Sequence, residues 1–173
     1  MDNRLPQRQH RPTGTAVTRI LVEPPLNATA PRVDFYVLPD ADAGARLQFA
    51  CRLTEKAYKL DNKTYAHVTG AAQARQLDEL LWTFRQGSFI PHEIAGQAED
   101  SGTQLAPVTI GHQSEAVRCG DLLINLAETI PPFFDQFTRV VEIIDSSVEC
   151  RQHGRERFSF YRDNGYEPTT HKL

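Results

Sequence analysis

The adjacent pair His92–Glu93, in "PHE" at Pro91–Glu93, is the first candidate for chemistry. An imidazole beside a carboxylate can abstract and return a proton, which would suit general acid–base work. Neighbours in an extended segment point to opposite faces, however, so these two would not converge on one atom. A structural or surface His92 is the alternative. From residue 67 onward the histidines are His67, His92, His112, His153 and His171, without His-x-x-x-His spacing, and no Cys-x-x-Cys pair accompanies them. No zinc site is implied. The three cysteines, Cys51, Cys119 and Cys150, are scattered, which gives no disulfide framework and fits a reducing cytoplasm. No Gly-x-Ser-x-Gly elbow is present.

Phosphate chemistry is also poorly served. A dinucleotide fold needs Gly-x-Gly-x-x-Gly at its first strand–helix junction, so that the pyrophosphate can approach backbone N–H groups. This chain has "VLPDADAGAR" there, with one glycine and carboxylates at Asp40 and Asp42 that would repel phosphate. A nucleotide-binding α/β enzyme is therefore the alternative reading, and no cofactor or metal is expected.

Surfaces are more informative than reactive groups. With Val148 at 0° on a helical wheel, Arg151, Arg155, Phe158 and Arg162 fall at about 300°, 340°, 280° and 320°. Three arginines and a phenylalanine thus share one stripe, while Cys150, Phe160 and Tyr161 lie toward the other side as core candidates. A solvated basic face is the plain reading of such a stripe. Yet no acidic residue stands at i±4 to Arg155 or Arg162, and a solvated face has no need of an aromatic. A guanidinium fork takes a carboxylate in two parallel hydrogen bonds, and a ring beside it can receive an apolar side chain. An acidic peptide with an apolar tip matches that pair of needs. A direct single-stranded nucleic-acid binder is the rival, but it calls for more aromatics and a more basic domain than a net charge of −3 provides.

The only tryptophan raises a parallel question. In "QLDELLWTFRQGSFIPHEIAG" (from Gln76), Leu77, Leu80, Leu81 and Phe84 fall at roughly 0°, 300°, 40° and 340°, one apolar stripe for a core. Trp82 falls at about 140°, on the polar side. Either another element packs over that side, or Trp82, with Phe89 and Pro91 after it, forms a second docking patch; Trp and Arg lead the residues that anchor interfaces.

These residues need elements to position them. The 173 residues suit one full domain. No apolar run approaches the ~20 residues of a membrane span, and the N-terminus lacks the apolar region of a signal peptide. Residues 1–31 mix Arg, Gln, Pro and Thr with little periodicity and read as a disordered arm; a partner-binding arm or a start placed too far upstream are the alternatives. From Arg32 the texture changes. "VDFYVL", "TYAHV", "PVTIGH", "DLLINL" and "VVEII" read as strands. "DADAGARLQFACRLTEKAYKL", Ala71–Phe84 and a last segment ending near Asn164 read as helices, with a short helix expected in "PFFDQFTR" and a polar loop in "AEDSGTQLA". Ser146 and Glu149 have the spacing of a capping box for the last helix, and Gly165 marks its stop. Alternating strands and helices predict a mainly parallel sheet covered on both faces, a Rossmann-like three-layer α/β domain over residues 32–173.

"VDFYVL", "RQLDELLWTFRQGSFIPHEIAG" and "FTRVVEII…RERFSFYRDNGYEP" resemble the chi subunits of bacterial DNA polymerase III. The likeness covers roughly Arg32 to Leu173. Its most distinctive block is the Leu-Asp-Glu-x-Leu-Trp run leading to Ser-Phe-x-Pro-His. It implies a Rossmann-like fold without a working nucleotide site and a non-catalytic accessory role at cytoplasmic replication forks. The family links the clamp loader, through the psi subunit, to the acidic C-terminal tail of single-stranded-DNA-binding protein. The tail positions implied here are Ile144, Arg151, Arg155 and Phe158. Family sites tend to have tyrosine at the position of Phe158 and lysine at that of Ser159; Arg162 is a candidate to compensate. The psi-facing positions implied are Trp82 and Phe89, where a helicase-like repair protein is a further implied partner.

Overall fold

The computed structural model describes residues 30–96, 106–112 and 120–173. The expected N-terminal arm lies outside these residues except for its last two, and the "AEDSGTQLA" loop lies outside them except for its last. Seven strands and three helices follow in the order β1 (Arg32–Val37), α1 (Ala43–Tyr58), β2 (Thr64–His67), α2 (Ala71–Thr83), β3 (His92–Ile94), β4 (Val108–Gly111), β5 (Leu122–Asn125), β6 (Arg139–Ile144), α3 (Val148–Asp163) and β7 (Thr169–Lys172). The strands form one sheet in the order β3-β4-β2-β5-β6-β1-β7, with every pairing parallel. The expected three-layer parallel α/β arrangement is therefore what the chain adopts.

Alternation along the strands sorts the core into two halves. On one face Ala66, Ile124, Val141 and Ile143 meet Leu47 and Cys51 of α1 and Leu77 and Leu81 of α2. On the other, Phe35, Leu123, Val140 and Ile144 meet Tyr161 of α3 together with Phe133, Phe134 and Phe137. Central strands buried on both sides need nearly continuous apolar runs, which is why "VVEII" and "DLLINL" read so plainly as strands.

Several local expectations are corrected. The last helix is capped by Ser147, whose side chain accepts from the Cys150 N–H, so Ser146 and Glu149 form no capping box. Ser146 is held elsewhere: its N–H donates to the Asp40 carbonyl in the β1–α1 connection, and the Ser147 N–H is taken by Asp145 Oδ1. That shifts the helix start by one residue and leaves Glu149 in the second helical position. In "PFFDQFTR" only a 3-10 turn forms, at Phe134–Gln136. Phe160, expected in the core, is 43% exposed, with edge contacts to Phe134 and Tyr161. Strand β7 was not expected at all. Its residues carry no apolar alternation; the open edge of β1 orders them, pairing Phe35 with Thr170 and Tyr36 with His171. Gly165 stops the last helix as expected, at φ +85°.

Candidate functional site

Helix α3 crosses over β6 and β1 and leaves a groove between itself and the β7 edge. Phe35 and Val37 of β1, Ile144 of β6, Arg151, Gly154, Arg155 and Phe158 of α3, and Thr170 of β7 line it. Its volume is about 190 Å³. An apolar cavity of roughly 150 Å³ already admits benzene, so one large apolar side chain fits. Phe158 packs edge-on against the buried Phe35 at 5.3 Å, giving the groove a firm aromatic wall. Arg151 and Arg155 are exposed at its mouth. Neither guanidinium makes a hydrogen bond or ion pair among the described residues.

The structure thus brings Ile144, Arg151, Arg155 and Phe158 together. Arg162 does not line the groove; its Nε and Nη2 lie 3.4 and 3.5 Å from Asp163 Oδ1. Sequence reasoning missed Phe35, Val37, Gly154 and Thr170. Gly154 carried a legible signal, because a glycine inside a helix costs about 1 kcal/mol against alanine and needs a reason. The reason is close approach: a Cβ there would lie 2.9 Å from Ile144 Cδ1. The missing side chain lets α3 settle directly on the groove floor.

What holds α3 in place is polar and buried. Glu142 of β6 is fully buried and accepts from Arg157 Nε at 2.9 Å, Tyr161 Oη at 3.0 Å and Asn125 Nδ2 at 3.0 Å. Arg157 Nη1 also donates to the Glu128 carbonyl at 2.7 Å. Burial, reinforced by the Glu142 charge, pushes the Tyr161 phenol far above its ordinary pKa, so it stays a donor. A second buried carboxylate, Asp34, fastens the sheet's far edge through Arg139 Nε at 2.7 Å, Arg32 Nη2 at 3.0 Å and His171 Nε2 at 2.8 Å. Burial alone would raise the Asp34 pKa; the bonds from His171, Arg139 and Arg32 outweigh it and hold the carboxyl below its usual value.

The tryptophan patch lies at the opposite edge. Trp82 is 49% exposed and Phe89 65%, with ring centroids 5.3 Å apart. The His92 ring supports the indole at 4.8 Å, and its side chain is buried. Its Nδ1 sits 2.6 Å from the Ile90 carbonyl, and its Nε2 3.2 Å from both the carbonyl and Oδ1 of Asp78. Both ring nitrogens are therefore engaged in building the patch. Pro91, half-buried between Ile90 and His92, fixes the segment's course.

A third depression, of about 260 Å³, opens at the carboxyl ends of β5 and β6, where open α/β sheets bind nucleotides. Asp145, Glu128 and Glu149 line it, an arrangement hostile to phosphate. The Arg46 guanidinium there donates to the Ile143 and Leu126 carbonyls. Among the described residues, no group of His, Cys, Asp and Glu could hold a metal ion, and no helix is long and apolar enough to cross a membrane.

Fold and surfaces together define a Rossmann-like α/β domain that exposes two separate patches, one basic and one indole-centred. Comparison with known proteins narrows this class. Residues 31–169 match the family described as DNA polymerase III chi subunit, HolC. The chain is 44% identical to the DNA polymerase III subunit chi of Pseudomonas aeruginosa over 142 residues, covering 82% of this chain and 96% of that protein. It is 31% identical to the Escherichia coli K12 subunit over 71% of this chain and 82% of that protein, and 28% identical to the Haemophilus influenzae subunit over 83% and 99%. The chain belongs to this family of DNA polymerase III subunits.

Proposed function

We propose that this protein is a non-catalytic accessory subunit of the replicative polymerase, working in the cytoplasm at the fork. It tethers the clamp loader, through psi, to the acidic tail of single-stranded-DNA-binding protein. The observation that carries this reading is the groove under α3, where two guanidiniums without a partner among the described residues flank an apolar socket sized for one side chain. A C-terminal residue supplies both matching parts, an apolar side chain and a free carboxylate. Trp82 and Phe89 form the psi face, and a helicase-like repair protein would compete there. Modest affinity suffices for the tail, because a partner displaying several tails raises their effective concentration.

The test is calorimetry with an acidic peptide ending in a free apolar residue. Arg155→Ala is expected to weaken binding by ~1.5 kcal/mol, the lower end for hydrogen bonds to a charged group, because the site is open to solvent. Unchanged affinity would remove Arg155 from the site. Blocking the peptide's C-terminal carboxylate as an amide should cost a similar amount in the native protein and little in the variant.

A further inference from the structure

We propose that the outer edge of β7 continues the groove: the acidic segment just before the seated C-terminal residue adds there as an extra strand. This rests on reading the groove as a C-terminal-peptide site.

Among the described residues, strand β7 ends the sheet and β1 is its one neighbour. The Leu173 N–H donates to the Val37 carbonyl at 3.1 Å. Backbone groups alternate sides along a strand, so His171 likewise faces β1 while Thr170 and Lys172 turn their N–H and C=O outward. Such an edge can take an extended peptide by main-chain hydrogen bonds, with pockets nearby reading its side chains. Thr170 belongs to both features: its backbone faces out, and its residue lines the groove beside Phe35.

Charge and orientation agree with an acidic occupant. Lys172, two residues beyond Thr170, shares its face of the sheet, on the groove side. It is exposed and has no ion pair among the described residues. With Arg151 and Arg155 it makes three uncommitted cations around one opening. His171 points the other way, stacked on Tyr36 at 4.7 Å and bonded to the buried Asp34, which pins the strand in this register. Four residues rising ~3.3 Å each give ~13 Å of edge, enough for about four residues of peptide. A lysine on this strand also supplies a cation close to the groove, where Ser159 on α3 supplies none.

The experiment compares a long peptide, rich in aspartate and ending in phenylalanine, with its short C-terminal piece. Both are titrated into native protein, Lys172→Ala and Lys172→Pro. Alanine removes only the charge; proline also removes the outward N–H and leaves the β1 bonds intact, as edge prolines do. The long peptide should bind native protein about tenfold more tightly than the short one. Lys172→Ala should lose part of that advantage and Lys172→Pro about fivefold more, while the short peptide should bind Lys172→Ala and Lys172→Pro alike. In native protein, the Thr170 and Lys172 amides should exchange hydrogen more slowly with the long peptide only. Equal affinities for Lys172→Ala and Lys172→Pro, with unchanged exchange, would overturn strand addition and leave the groove standing. If the short peptide failed to bind native protein, the groove reading would fall and this inference with it.

Discussion

Glu142 sits in β6 among four apolar residues, Val140, Val141, Ile143 and Ile144, and its side chain is sealed from solvent. A carboxylate there is tolerated only because Arg157, Tyr161 and Asn125 all donate to it. Breaking the pair from one side should therefore be expensive. Arg157→Leu is expected to destabilise the fold by ~3–5 kcal/mol, since it leaves an uncompensated buried charge. Adding Glu142→Leu should recover part of the loss, since the buried charge goes but the Tyr161 hydroxyl loses its acceptor, measured by urea unfolding of both variants. If the double variant were no better than the single one, the cost would lie in packing instead of charge. This network was partly legible beforehand. On the α3 wheel Arg157 falls at about 180° and Tyr161 at about 220°, both opposite the arginine stripe, while Phe160 falls at about 120° and drifts toward solvent. A lone glutamate within "VVEII" announces the need for a partner; the sequence does not say which arginine, because that contact depends on how far α3 settles.

Gly154 decides that settling, and its effect belongs to the helix as a whole. Alanine at this position would gain about 1 kcal/mol of helix propensity. It would also press a Cβ to 2.9 Å from Ile144 Cδ1, the end of a side chain that can turn only into the groove it lines or away into the core. Gly154→Ala is expected to leave stability within about 1 kcal/mol of the native protein while weakening the C-terminal peptide severalfold. Thermal unfolding and calorimetry on the same sample separate the two effects. Wholly unchanged peptide affinity would mean that Ile144 is not part of the socket floor. Helices and central strands were easy to read because their apolar periods are long and clean. The α3 cap was misplaced by one residue because Ser146 and Ser147 are equally good caps, and the bonds from the Ser146 N–H to Asp40 and from the Ser147 N–H to Asp145 choose between them. Strand β7 was invisible because "TTHK" acquires its conformation from β1, not from its own side chains.

At the scale of the molecule, the two faces lie toward opposite edges of one sheet. Trp82 stands against β3, the first strand in the order, and the groove opens between β6, β1 and β7 at the other end. Five strand spacings of ~4.8 Å place β3 and β1 about 24 Å apart, so a side chain seated in the groove does not touch Trp82. On the proposed function the two patches would be occupied independently, and each should be removable alone. Trp82→Ala is expected to abolish co-purification with psi while leaving peptide affinity in the groove unchanged, and Arg155→Ala should do the reverse. Being the only tryptophan, Trp82 also reports on its own face: its emission should shift when psi is added and stay constant when the peptide is. An emission change on adding peptide alone would couple the two edges and contradict a rigid tether. The separation follows from the fold itself, since the crossover through α2 leads from β2 to the edge strand β3 and the crossover through α3 leads from β6 to the edge strand β7.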